Sequence, residues 1–161
     1  MVRKYVLGKS KTCVGCKTCM TACLTKHFED DDIPLFRINV VKLGDETIAL
    51  ACRHCEKAPC VNACPVGALY YDLDRVAVNM HRCIGCSGCI NNCPYGSLVL
   101  ANRPQSKVAS GLTATSAQNF SIIKCDLCFD REQGPACVEA CTTKSLRLLS
   151  MDEVNQVASP A

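Results

Sequence analysis

The chain has no tryptophan, and tyrosine and phenylalanine contribute only 4 residues each to a length of 161. A domain of this size normally fills its interior with large apolar side chains. Apolar residues make up 48% of the sequence. Without cysteine the share is roughly 38%, the low end for a chain that builds its own core. No apolar run approaches the roughly 20 residues needed to span a bilayer. Met1 to Lys11 has basic residues but no apolar stretch and no twin-arginine pair, so no export signal is expected and the chain reads as cytoplasmic. A reducing compartment argues against a disulfide framework. There is no glycine-rich phosphate loop or flavin motif, and no set of residues resembles a substrate site, so the chain reads as non-catalytic. The formal charge of +3, with its lysines and arginines scattered, argues against nucleic-acid binding.

What the chain does have is cysteine, 16 residues of it, in four groups of regular spacing. Cys13, Cys16, Cys19 and Cys23 read C-x2-C-x2-C-x3-C. Cys52, Cys55, Cys60 and Cys64 read C-x2-C-x4-C-x3-C-P. Cys83, Cys86, Cys89 and Cys93 read C-x2-C-x2-C-x3-C-P. Cys125, Cys128, Cys137 and Cys141 read C-x2-C-x8-C-x3-C. Every group opens with C-x2-C and closes with C-x3-C, and no cysteine is left over.

A cubane cluster explains this spacing. Each of its four irons needs one thiolate. A tight C-x2-C-x2-C loop places three sulfurs on three corners, and the fourth cysteine starts a turn leading away, toward a second cube. Sixteen ligands at four per cube give four [4Fe–4S] clusters. Gly15, Gly85 and Gly88 fit the same picture, because a residue without Cβ lets backbone amides approach the cluster. Zinc sites use two knuckles around one ion. Three cysteines within seven residues, occurring twice, suit a cube better.

A second repeat supports duplication. Cys64 to Leu69 reads C-P-V-G-A-L, Cys93 to Leu98 reads C-P-Y-G-S-L, and Cys141 to Leu146 reads C-T-T-K-S-L. Between the groups, hairpins are predicted at Phe36–Leu43 with Thr47–Ala51, and at Leu69–Tyr71 with Arg75–Val78. Single strands are predicted at 98–101, 120–123 and 146–149. Short helices are predicted to start near the third cysteine of each group. Glu29 to Asp32 reads as a solvated turn before Pro34, and Ser150 with Glu153 as a cap for one last turn. Residues 102–119, polar and without period, read as a surface loop, and 151–161 as a tail.

At these residues the chain resembles the four-cluster ferredoxin subunits of molybdenum and tungsten oxidoreductases, the family of the dimethyl sulfoxide reductase iron–sulfur subunit. C-R-H-C-E-K-A-P-C (Cys52 to Cys60) and C-D-L-C…G-P-A-C (Cys125 to Cys137) carry the resemblance with the four groups. Within the family it looks most like the small electron-transfer subunits of formate hydrogenlyase and hydrogen-dependent carbon dioxide reductase, or of tungsten aldehyde oxidoreductases. The resemblance covers about residues 3 to 150. It implies an α+β fold of nested bacterial 2[4Fe–4S] ferredoxin-like modules with short hairpins and helices. The outer module would span 1–50 plus 120–150, and the inner module 51–101. It also implies shared ligand sets: Cys13, Cys16, Cys19 and Cys141; Cys23, Cys125, Cys128 and Cys137; Cys52, Cys55, Cys60 and Cys93; Cys64, Cys83, Cys86 and Cys89. The inner pairing has support of its own, since 18 residues separate Cys64 from Cys83 and both groups end in C-P. In the outer module Leu24 and Thr142 stand where the family has proline.

Four cubes in so small a body must lie close together, as electron tunnelling requires. The expected function is a relay of single electrons between a catalytic subunit and another redox partner. The catalytic subunit would be of formate dehydrogenase, hydrogenase or molybdenum/tungsten aldehyde oxidoreductase type. Self-association into a longer conductor is one form of this reading. A freely diffusing polyferredoxin and a zinc-stabilised interaction module are the alternatives. Oxidised cubes with four thiolates carry about −2 each, which takes the net charge to about −5. His27, His54 and His81 read as surface or hydrogen-bonded residues, because sixteen sulfurs need no histidine.

Overall fold

The computed structural model describes residues 3–31, 35–102, 120–150 and 152–154. Its strands form antiparallel two-stranded ribbons. β1 (Lys4–Gly8) pairs with β8 (Leu146–Ser150), and β2 (Ile38–Leu43) with β3 (Glu46–Ala51). β4 (Leu69–Asp72) pairs with β5 (Arg75–Val78), and β6 (Val99–Asn102) with β7 (Phe120–Ile123). The helices are α1 (Thr18–Asp31), α2 (Pro59–Asn62), α3 (Gly88–Asn91) and α4 (Ala136–Glu139). Both predicted hairpins are present, turning at Gly44-Asp45 and Leu73-Asp74. The α+β class with short hairpins and short helices is the observed architecture.

Two elements depart from the sequence reading. β1 was not predicted; its partner lies at the other end of the chain, so no local pattern marks it. α1 is not short: it runs 14 residues. Proline disfavours a helical residue before it and lacks the N–H that a helix needs. α2 and α3 stop after four residues each, short of Cys64-Pro65 and Cys93-Pro94. Leu24 sets no such stop, and α1 continues through residues 29–31, which the sequence reading took for a turn. Asp32 to Pro34 lie outside the described residues, as do 103–119 of the predicted loop. α4 is equally short, ending at Glu139 although no proline follows Cys141, and a left-handed Lys144 (φ 53°) turns the chain beyond it. The predicted cap on the last turn is present. The Ser150 N–H donates to Glu153 Oε2 (2.7 Å), and the Glu153 N–H donates to Ser150 Oγ (3.3 Å).

Two large apolar clusters, and a small one of Ala101 and Ile123, hold these ribbons. One gathers Val6, Ile38, Ala49, Leu127 and Leu146 around Cys19, Cys23, Cys52, Cys125, Cys137 and Cys141. The other gathers Ala58, Leu69, Val76, Leu98 and Ile122 around Cys60, Cys83 and Cys89. β1 lies against β3 because Gly8 has no side chain: a Cβ there would stand 2.9 Å from the Ala49 carbonyl oxygen. Gly8→Ala must therefore push two backbones apart. It is expected to cost about 1–3 kcal/mol and to lower the thermal midpoint of the cluster-loaded protein. Among the described residues, no helix is long and apolar enough to cross a membrane.

Candidate metal centres

The four C-x2-C loops share one backbone turn. The residue before the second cysteine is left-handed in every group: Gly15 and Gly85 at φ 70°, His54 at 45° and Leu127 at 66°. This costs glycine nothing, but a residue with a Cβ about 1–2 kcal/mol. The bend turns successive backbone N–H groups toward one side, a concavity suited to an anionic body.

The fourth cysteines repeat as closely. After Cys64, Cys93 and Cys141, the N–H three residues on donates to the cysteine carbonyl, and that residue (Gly67, Gly96 or Lys144) is left-handed. The next N–H reaches the sulfur: Ala68 to Cys64 Sγ at 3.1 Å and Ser97 to Cys93 Sγ at 3.5 Å. Cys141 Sγ has the N–H of Ser145 and also its hydroxyl, at 3.3 Å. In the first group the helix replaces this turn, and Cys23 Sγ accepts instead from the Arg37 N–H at 3.2 Å. Amides aimed at sulfur stabilise thiolate ligands.

The cysteines also come together across the groups. Cys13, Cys16, Cys19 and Cys141 line one cavity, and the charges of the other three act on Cys19. Cys23, Cys125 and Cys137 pack in one buried cluster with Cys19, Cys52 and Cys141. Cys60, Cys83 and Cys89 pack in another, with Cys55, Cys64 and Cys93 against it. Cys86 sits beside Gly88, where a Cβ would stand 3.7 Å from its sulfur. Two helix pairs build this arrangement: α1 packs on α4 and α2 on α3, each carrying a C-x3-C segment.

Burial pushes several thiols up, with Cys19 and Cys60 reaching about 11 and Cys137 about 12. Left to themselves these groups stay protonated near neutral pH; coordination to iron is what deprotonates them. Cys141 behaves differently. Burial raises it, but hydrogen bonds from Ser145, the Leu146 N–H and Thr143 outweigh this and bring it to about 7.

His54 is fully buried, with 0% exposure. Its Nδ1 accepts the Val76 N–H at 3.0 Å, which leaves the proton on Nε2, and Nε2 has no protein partner. Burial, then the charges of Lys124, Arg75 and Arg3, hold its pKa down to about 2. A buried, neutral N–H donor with no protein acceptor, flanked by Arg53 and Cys55, fits a sulfide-rich body nearby. His27 is also buried, its Nε2 3.8 Å from Cys128 Sγ and 3.5 Å from Asp126 Oδ1. His81 is exposed.

The size of the thiol sets separates a cube from a single ion. Tetrahedral zinc at about 2.3 Å from each sulfur would hold the sulfurs about 3.8 Å apart. Among the described residues, the only three donors of His, Cys, Asp or Glu found within 4.8 Å of one another are those of His27, Asp126 and Cys128. The cysteine sets are spread more widely, as a four-iron core requires. Residues 46–151 match a 4Fe-4S dicluster domain, and residues 12–69 match a second 4Fe-4S dicluster domain. The chain belongs to the 4Fe-4S dicluster ferredoxin family. Its 16 cysteines and two matched dicluster regions fit four [4Fe–4S] clusters, the cofactors of an electron-transfer iron–sulfur protein. The zinc-module reading is thereby set aside.

This dicluster ferredoxin is 36% identical over 165 residues to the electron transport protein HydN of Escherichia coli K12, covering 98% of this chain and 94% of that one. It is 31% identical over 176 residues to formate hydrogenlyase subunit 2 of Escherichia coli K12, covering 98% of this chain and 87% of that one. When bound, the clusters supply one-electron transfer. The residues around them supply thiolate ligands, N–H donors to sulfur and a low-dielectric surround. Two features of the ferredoxin's interior were not expected from the sequence: the left-handed backbone and full burial of His54, whose Nε2 has no protein partner, and the buried Lys124. Neither had a local signal, since each is buried by residues distant in sequence.

Proposed function

We propose that this ferredoxin is a cytoplasmic relay between a catalytic oxidoreductase subunit and a second redox partner, with its clusters held by the four shared ligand sets. The catalytic subunit is of formate dehydrogenase, hydrogenase or molybdenum/tungsten aldehyde oxidoreductase type; the likeness to formate hydrogenlyase subunit 2 supports this choice. The proposal includes an outer module, 1–50 with 120–150, wrapped around an inner module, 51–101.

The observation that carries the reading is a row. Cys19 and Cys137 lie in one buried cluster, on the packed helices α1 and α4, which joins the first set to the second. Cys125 and Cys52 lie in that same cluster, which joins the second set to the third. The third and fourth sets share α2 and α3. Exposed cysteines occur only at the two ends of this row: Cys16 in the first set and Cys86 in the fourth. Beside them stand exposed apolar residues in equivalent C-x-G-C loops, Val14 at 69% and Ile84 at 49%. A relay needs such ends, where a partner's redox centre can approach closely, and a covered middle.

The test is anaerobic affinity purification of the chain from its native cells, followed by gel filtration. Co-elution with a subunit that contains molybdenum, tungsten or nickel is the expected result. A lone species near the chain's own 17.4 kDa would favour the freely diffusing carrier. Multiples of that mass without another subunit would favour self-association.

A further inference from the structure

Lys124 is 4% exposed, and its ammonium donates to the carbonyl oxygens of Val76 at 2.5 Å and Cys125 at 2.7 Å. An ammonium has three N–H donors and no acceptor. Among the described residues no carboxylate pairs with it. The nearby acids are engaged elsewhere: Asp126 holds Arg37 at 2.6 Å, and Asp72 holds Arg75 at 2.6 Å. The other neighbouring charges are cationic, since Arg75 donates to the Asp126 carbonyl at 3.3 Å and Arg3 to the Arg75 carbonyl at 3.0 Å. Burying an unpaired cation is strongly unfavourable unless an anion lies within reach.

The clusters are the anions available. Lys124 directly precedes Cys125 of the second set, and its partner Val76 is also the residue whose N–H meets His54, next to Cys55 of the third. Its two carbonyl partners tie β5 to the start of the fourth cysteine group, at the join between the inner and outer cores. Each electron added to a cluster adds one negative charge, and a fixed cation nearby stabilises that charge most where water is excluded.

We infer that Lys124 is a built-in positive charge between the second and third clusters that makes both easier to reduce, so that the covered middle of the relay holds electrons more readily than it would without it. This rests on the ligand sets proposed above. Lys124 acts as a positioning and tuning residue: it takes no electron itself, and the electrons come from and leave to the redox partners.

The test is a redox titration of cluster-loaded protein followed by electron paramagnetic resonance, with iron measured on each sample. Lys124→Gln keeps an N–H donor for the two carbonyls and removes the charge; Lys124→Arg keeps the charge. Two of the four reduction steps are expected to move to more negative potential in Lys124→Gln, and to stay in place in Lys124→Arg. Lys124→Met should match Lys124→Gln; a shift in Lys124→Met alone would show a hydrogen-bonding role and overturn the inference. Should Lys124→Met fail to load iron, the Gln and Arg pair decides. Cys125→Ser and Cys60→Ser assign the steps. If they perturb two different steps and Lys124→Gln leaves both unmoved, the inference fails while the ligand sets stand. If they perturb one and the same step, the ligand sets fail, and the inference with them.

Discussion

Removal of the iron is expected to unfold this ferredoxin almost completely. Among the described residues 25 apolar ones are buried; ten are cysteines, five are alanines, and tyrosine is the one aromatic. The rest cannot supply the burial that a domain of this size needs. The ribbons add little, because an isolated two-stranded hairpin is marginal in water, and each ribbon here has two strands. The left-handed His54 and Leu127 are a further cost that iron ligation offsets. Metal binding and folding are thus one transition. Chelation should collapse the far-ultraviolet circular dichroism and the dispersion of the amide NMR spectrum. Reconstitution with ferrous iron and sulfide should restore both at about 16 irons per chain. A well-dispersed spectrum from iron-free protein would contradict this account of the core.

The second large effect concerns which cysteines share a cube. Cys13→Ala alone is expected to lose about four irons, leaving about 12. Adding Cys141→Ala should cost nothing more, because both belong to one proposed set. Cys125→Ala combined with Cys141→Ala should leave about eight, although these two residues belong to one sequence group. Non-additivity within a set and additivity between sets is the signature of shared ligation. The opposite pattern, with Cys125 and Cys141 behaving as one unit, would return each cube to its own sequence group. Milder Cys→Ser changes give the same comparison by shifted resonance signals if the alanine variants are lost to degradation.

Much of this was legible in the sequence because cysteine spacing encodes local geometry directly. The third cysteines of groups two to four marked short helices, and the structure has one at each of Cys60, Cys89 and Cys137. Where the proline is missing after Cys23, the length of α1 was not legible, since nothing local ends it before Asp31. Gly15 and Gly85 marked a close backbone approach; the left-handed turn they make was not legible, since His54 and Leu127 make the same turn with a Cβ. Strand β1 was invisible for want of a nearby partner. Lys124 looks in sequence like any lysine before a cysteine motif, and only the arrival of the Val76 carbonyl from β5 encloses it.

The pairing of β1 with β8 brings the chain's beginning to its end. Biosynthesis feels this directly. On the proposed ligand sets, a nascent chain has every thiol for its two inner cubes once Cys93 has left the ribosome, but its two outer cubes wait for Cys137 and Cys141. On those sets a chain cut short before its last fifty residues holds ligands for only the two inner cubes.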